Sequence, residues 1–263
     1  MVAQVYLDND GVAGTSEGDR LGLATSCTAA GADPFLYGFG VRCTEKDTNG
    51  NLQIVLGNEH SVNAFGATYK LFRENEGVFF KSGEIKDWTN YEWAYPKFAN
   101  SEALFIADSF GATSKFIDME ARYGVLPIPL LNESQKEYLS GGVGGLQAIP
   151  VNAVELEATA ATMDLLNFYG YQFVVPMYFE KMLKTTYSDS PEDAAIYQLL
   201  QDAKYADFGV IYSHAMEDPL WDWRKQLRED SDNILGHWTT QMKVYSEKLE
   251  AIFEAFRKLP GAA

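Results

Sequence analysis

Apolar and polar positions along the chain change period several times, and each change marks an element. Residues 21–25, Leu-Gly-Leu-Ala-Thr, form a short apolar run that predicts a strand. Ala32-Asp33-Pro34 breaks the chain, and an aromatic patch punctuated by glycine follows from Phe35 to Gly40. Asp47-Thr48-Asn49-Gly50 has turn chemistry, and the apolar-leaning stretches 41–44 and 53–56 on either side predict a hairpin. From Asn58 the period lengthens. Val62, Phe65, Tyr69 and Phe72 recur at three- and four-residue steps, which predicts one face of a helix behind an Asn cap. Residues 102–108 predict a buried strand, Thr113 the cap of a helix that Gly124 ends, and residues 125–127 a second short strand. Asn152 with Glu155 three positions on opens a helix that reaches Gly170. Ser190-Pro191-Glu192-Asp193 opens another, with a cap, an early proline and acids in the first turn. Met242, Tyr245, Leu249, Ile252 and Phe256 line one face of a last helix over 239–256.

Strands and helices thus interleave in the first half and helices dominate the second, which places the chain in the α/β class with helical additions. No internal repeat or low-complexity linker interrupts it, and Gly141-Gly-Val-Gly-Gly145 is the segment that reads as a hinge. Its 263 residues are enough to bury a core without a disulfide or a structural metal. Charge narrows the partners. With 21 Lys and Arg against 37 Asp and Glu the net charge is −16, which repels polyphosphate and argues against nucleic acid and anionic membrane surfaces. Met1-Val-Ala-Gln4 leads directly into acidic, Gly-rich sequence without the basic start and apolar stretch of a signal peptide. Cys27 and Cys43, the two cysteines, read as small buried residues ahead of a disulfide pair.

The familiar catalytic spacings do not occur: there is no H-E-x-x-H, P-loop, G-x-S-x-G or kinase signature. His60, His214 and His237 lie in unrelated contexts, and the acid pairs Glu217-Asp218 and Glu229-Asp230 read as solvated charge. No catalytic residue, cofactor or transition metal is expected. A weak calcium candidate exists near the start. With Gly11 as sixth position, Asp8, Asp10 and Glu17 fall on positions three, five and twelve, but Tyr6 brings no carboxylate to position one. An Asp-Gly turn is the preferred reading. Aromatic residues in Gly- or Pro-flanked stretches carry more meaning: Phe35 and Tyr37, Phe110 after Asp108-Ser109, and Trp221-Asp222-Trp223. Ring faces with nearby oxygen acceptors suit a neutral, polyhydroxylated ligand.

The order of segments resembles the later part of an extracellular solute-binding protein of an ABC importer, of the family 1, maltose-binding-like type. The likeness rests on the acidic Gly turn at 6–23, on Ala103-Leu-Phe-Ile106, and on Tyr123-Gly-Val-Leu-Pro-Ile-Pro129 followed by Gln135-Lys-Glu-Tyr138 and Ala148-Ile-Pro150. Val175-Pro-Met-Tyr-Phe-Glu180 and Asp207-Phe-Gly-Val-Ile-Tyr212 extend it over most of the chain. The resemblance implies a periplasmic-binding-protein type II-like lobe with helical additions and an incomplete second lobe. Residues 1–145 and 186–263 would form lobe two, and 146–185 a helical segment belonging to lobe one, the rest of which is absent. It further implies non-catalytic binding of an oligosaccharide, a membrane permease as partner, and an extracellular, lipid-anchored location in a full-length parent. A homodimer through the exposed lobe interface is a further expectation. The ligand surface is expected on the strand-end loops, at Phe35, Tyr37, Ser109, Phe110, Trp221 and Asp222. The competing expectations are a protein-interaction module on the same fold and, behind it, a glycoside hydrolase.

Overall fold

The computed structural model describes residues 20–75, 77–81, 94–141, 147–178 and 191–259. The fold is mixed α/β. It starts from β1 (Leu21–Ser26), buried along its whole length, as a charge-free run covered on both faces should be. α1 (Asp33–Gly38) follows where an aromatic loop was expected. Pro34 is the reason: it has no N–H to lose in a first turn and its φ is already helical, so it starts a helix as well as ending what precedes it. Gly40, at a φ of 74°, lets the chain turn out of α1. β2 (Thr44–Lys46) and β3 (Leu52–Ile54) make the predicted antiparallel hairpin. Asp47 accepts the backbone N–H groups of Asn49 and Asn51 across its turn, and Gly50 sits at a φ of 85°.

α2 (Glu59–Arg73) begins where Asn58 takes the Ser61 N–H on its side chain, and buries Ala64, Phe65, Thr68 and Phe72. β4 (Val78–Lys81), α3 (Ala94–Ala99) and β5 (Ala103–Ile106) then complete a three-stranded parallel sheet in the order β4-β1-β5. Leu23 stands opposite Val78 on one side and Phe105 on the other. Successive side chains of β1 serve different clusters, as strand geometry requires: Leu23 joins the main core, Ala24 a smaller one with Ala94 of α3 and Ala103 of β5. β5 was expected to be buried but is an edge strand, with Leu104 58% exposed.

Two expectations fail after β5. The helix from Thr113 shrinks to a 3-10 stretch over residues 110–115, because Thr113 Oγ1 bonds back to the Phe110 carbonyl and closes the turn instead of capping a new helix. Residues 125–127 make no strand: Pro127 and Pro129 bring no N–H to a ladder, and Val125 N donates to the carboxylate of Asp193. β6 (Ser140–Gly141) comes next; the remaining glycines of the expected hinge lie outside the described residues. α4 (Leu156–Tyr169) forms without the expected capping box, since Glu155 occupies the cap and makes no side-chain bond there. A π-helical turn carries it on through Val174, and α4 buries no residue.

α5 (Pro191–Asp202) begins at the expected proline with Glu192 and Asp193 in its first turn, the expected cap Ser190 lying outside the described residues, and β7 (Lys204–Tyr205) pairs in parallel with β6. α6 (Phe208–Ile211), α7 (Pro219–Arg228) and α8 (Ile234–Arg257) close the chain. α8 starts five residues before the predicted point, at Ile234, behind the cap Asn233, whose side chain takes the Gly236 N–H. α7 lies where a loop was expected, because Pro219 again opens a helix. The main core joins α1, α2, α7 and α8 to β1 through Leu36, Phe65, Trp223, Leu227, Trp238 and Tyr245, each almost wholly buried. Phe65 meets Trp223 edge to face at 5.2 Å. Arg73 fastens α2 to α7 by donating to the terminal carbonyls of Leu227 and Arg228, where a cation also suits the helix dipole.

Candidate ligand-binding cleft

A parallel sheet with its first strand in the middle sends the chain away from β1 in two directions. The loops beyond the carboxyl ends of β1 and β5 therefore diverge, and a crevice opens between them. A cleft of about 1480 Å³ occupies this place and extends along the edge of β5. Asp33, Pro34 and Tyr37 of α1 line one side; Asp108, Ser109 and Phe110, which follow β5, line another; Ile196 and Leu200 of α5 contribute apolar wall.

Each lining group is positioned by local packing. The Tyr37 ring lies so close to Gly141 that a Cβ there would sit inside the ring, so glycine is required at that position. On its other side Tyr37 meets Tyr205 edge to face, and the Tyr205 hydroxyl donates to the Val41 carbonyl. Burial pushes the Tyr37 phenol upward, keeping it protonated and able to donate. Phe110 is held edge to face against Tyr197 at 5.2 Å. Asp108 accepts the backbone N–H of Ser109 at 2.6 Å, the Ser109 hydroxyl at 3.2 Å and the Tyr95 hydroxyl at 3.1 Å. Burial raises its carboxyl despite these bonds. Asp33, 4% exposed, lies 3.0 Å from Arg224 Nε. Desolvation outweighs that guanidinium and moves the Asp33 carboxyl up to about 7. At neutral pH Asp33 therefore offers a donor or an acceptor according to what faces it.

Of the six residues expected at the ligand surface, Tyr37, Ser109 and Phe110 come together in this cleft, and Phe35, Trp221 and Asp222 do not line it. Phe35 is a core residue, packed edge to face on Phe72 at 4.9 Å, because the helix that Pro34 starts turns it inward. Trp221 lies on α7 with the guanidinium groups of Arg224 and Arg228 each 5.3 Å from its ring, so cations hold the surface a sugar would need. Asp222 is buried, accepts the Tyr245 hydroxyl and lies 2.7 Å from His237 Nε2, which ties α7 to α8. Asp33 and Asp108 were missed. The signal was a carboxylate within a few residues of each strand end, next to the aromatic residues already singled out. The calcium candidates Asp8, Asp10 and Glu17 lie outside the described residues.

Other polar clusters hold the fold. Asp207 accepts from the backbone N–H groups of Cys43, Thr44 and Gly209 and from the Thr44 hydroxyl, joining α6 to β2. Ser213 and His214 both bond Asp218, so the hydroxyl is not paired with the imidazole as a nucleophile would need. His60 Nε2 contacts the Phe39 carbonyl. Cys27 and Cys43 are free, buried thiols, and burial pushes Cys27 up to about 12, far from a reactive thiolate. Among the described residues no group of three His, Cys, Asp or Glu side chains is arranged to hold a metal ion, and no helix is long and apolar enough to cross a membrane. Comparison of the chain with protein-family models, with curated proteins and with solved structures finds no match.

Proposed function

We propose that the chain binds an oligosaccharide without chemical turnover, as part of an extracellular solute-binding protein that hands its ligand to an ABC-importer permease. One observation carries the reading. An aromatic ring on each side, Tyr37 and Phe110, with the oxygen-rich set Asp33, Asp108 and Ser109, meet at the carboxyl ends of adjacent parallel strands. A sugar presents apolar C–H faces and hydroxyls that both donate and accept, and this combination answers both. Under this reading residues 1–145 and 186–263 build the lobe of a periplasmic-binding-protein type II-like fold, and 146–185 belong with a first lobe. The orphaned apolar helix of that segment supports the assignment.

Titration calorimetry of the whole chain against a panel of neutral oligosaccharides tests the proposal. Binding is expected for at least one member. Tyr37→Ala and Phe110→Ala are each expected to weaken it by roughly 0.5–1.5 kcal/mol beyond the lost area, whereas Trp221→Ala leaves it unchanged. Long incubation should return the sugar intact. An empty panel, or loss of binding on Trp221→Ala alone, overturns the site. Released monosaccharide favours a hydrolase instead.

A further inference from the structure

β5 turns one edge of its backbone toward the cleft. In the sheet β4-β1-β5 it pairs with β1 along one side, and among the described residues no strand pairs with the other. Residues 102–107 line the cleft in unbroken succession. A cleft lying on a face of the sheet would take alternate residues, so this one follows the strand's edge, over roughly 20 Å at about 3.3 Å per residue. Soluble proteins guard such an edge with lysine, proline or charge. Residues 103–107, Ala-Leu-Phe-Ile-Ala, carry none of these, and the Leu104 side chain is more than half exposed there.

We propose that this edge takes an extended, basic peptide, which adds to the sheet as a strand beside β5. The chemistry of the edge chooses a peptide. It offers N–H and C=O groups in alternation, and an extended polyamide answers both, whereas a helix has spent its backbone groups on itself and a sugar has no such repeat. The space agrees. About 1480 Å³ exceeds the about 300–1,000 Å³ that holds an ordinary small ligand. Asp193, Ile196 and Leu200, at three- and four-residue steps on one face of α5, line the same cleft. The groove therefore has an edge strand and a helix for walls, with apolar positions to receive alternate side chains of the peptide. Charge chooses its sign. The lining has five acidic residues against three basic ones, and the net charge of −16 draws cations while it repels a second copy of the chain. The peptide needs the edge of β5 and the sugar the rings of Tyr37 and Phe110, so neither mode of binding depends on the other.

Titration calorimetry of the whole chain with a capped hexapeptide of alternating lysine and valine tests the proposal. Two relatives of that peptide serve as controls: one N-methylated at its valine amides, which keeps every charge but loses those donors, and one with glutamate in place of lysine. The first peptide is expected to bind, and each control to bind at least about tenfold more weakly. Carbon-13 carbonyls in the bound peptide should give the infrared band of a β-sheet. Leu104→Lys, which sets a cation on the edge, should also cost at least about tenfold in affinity, with the urea midpoint near that of the parent because the side chain is exposed. Should that variant not fold, the N-methylated peptide still decides. No binding of the first peptide overturns the proposal, as does equal affinity for either control or unchanged affinity in folded Leu104→Lys. A two-chain mass in light scattering that Leu104→Lys returns to one chain puts a second copy on the edge and overturns it as well. No sugar is present in these titrations, so their outcome stands apart from that of the oligosaccharide panel.

Discussion

Asp33 concentrates the residue-scale physics of this protein. It is nine-tenths buried, faces one guanidinium, and its carboxyl is raised from the usual 3.8 to about 7. A carboxyl with a raised folded pKa holds its proton in the native state while the unfolded chain has lost it. Its contribution is therefore complete below about pH 4 and is lost as pH rises toward 7. Three pKa units correspond to about 4 kcal/mol at about 1.4 kcal/mol each. Asp33→Asn should remove that slope: the difference in urea midpoint between variant and parent should move in the variant's favour from pH 4 to pH 7.5. A constant difference would show that Asp33 ionises normally. At this scale three of the five residues of the proposed site were legible in the chain. Tyr37, Ser109 and Phe110 were visible as polar or aromatic residues beside strand ends. Phe35 and Asp222 were not separable from them, because the sequence carries ring and carboxylate but not the direction in which a helix turns them.

Elements announced by capping chemistry were legible, and those shaped by distant contacts were not. Asn58 and Pro191 mark true helix starts. Asn58→Ala should lower stability by about 1 kcal/mol, measured as a shift in urea midpoint with unchanged slope. Asn152 carries the same kind of signal and makes no cap, and Thr113 turns its hydroxyl backward. In both cases the hydrogen-bond partner decides, and the residue type does not reveal it. Asp207 shows the opposite limit: its own cap on Gly209 is local, but the bonds to Cys43 and Thr44 span most of the chain. Asp207→Ala would orphan buried donors at about 1–3 kcal/mol each. An overall loss of about 3–5 kcal/mol in chemical denaturation is the expected result, with Asp207→Asn less severe because one oxygen still accepts.

For the molecule as a whole, the class was readable from the alternation of periods: an α/β chain with helices gathered in its second half. The burial of elements was not. Residues 102–108 and 156–169 are both apolar enough to lie inside, yet the strand is an edge and the helix is bare. Composition tells a segment to seek cover without naming the surface that supplies it. The order of the sheet has a consequence for synthesis. Leu23 must wait for Val78 and then Phe105 before it has both neighbours, so β1 leaves the ribosome long before its sheet can close. Such distant pairing slows folding and exposes an unpaired apolar strand meanwhile. A nascent chain stalled after residue 75 should therefore bind a trigger-factor-type chaperone and be cut readily by protease, while the chain released with α8 free to pack should resist.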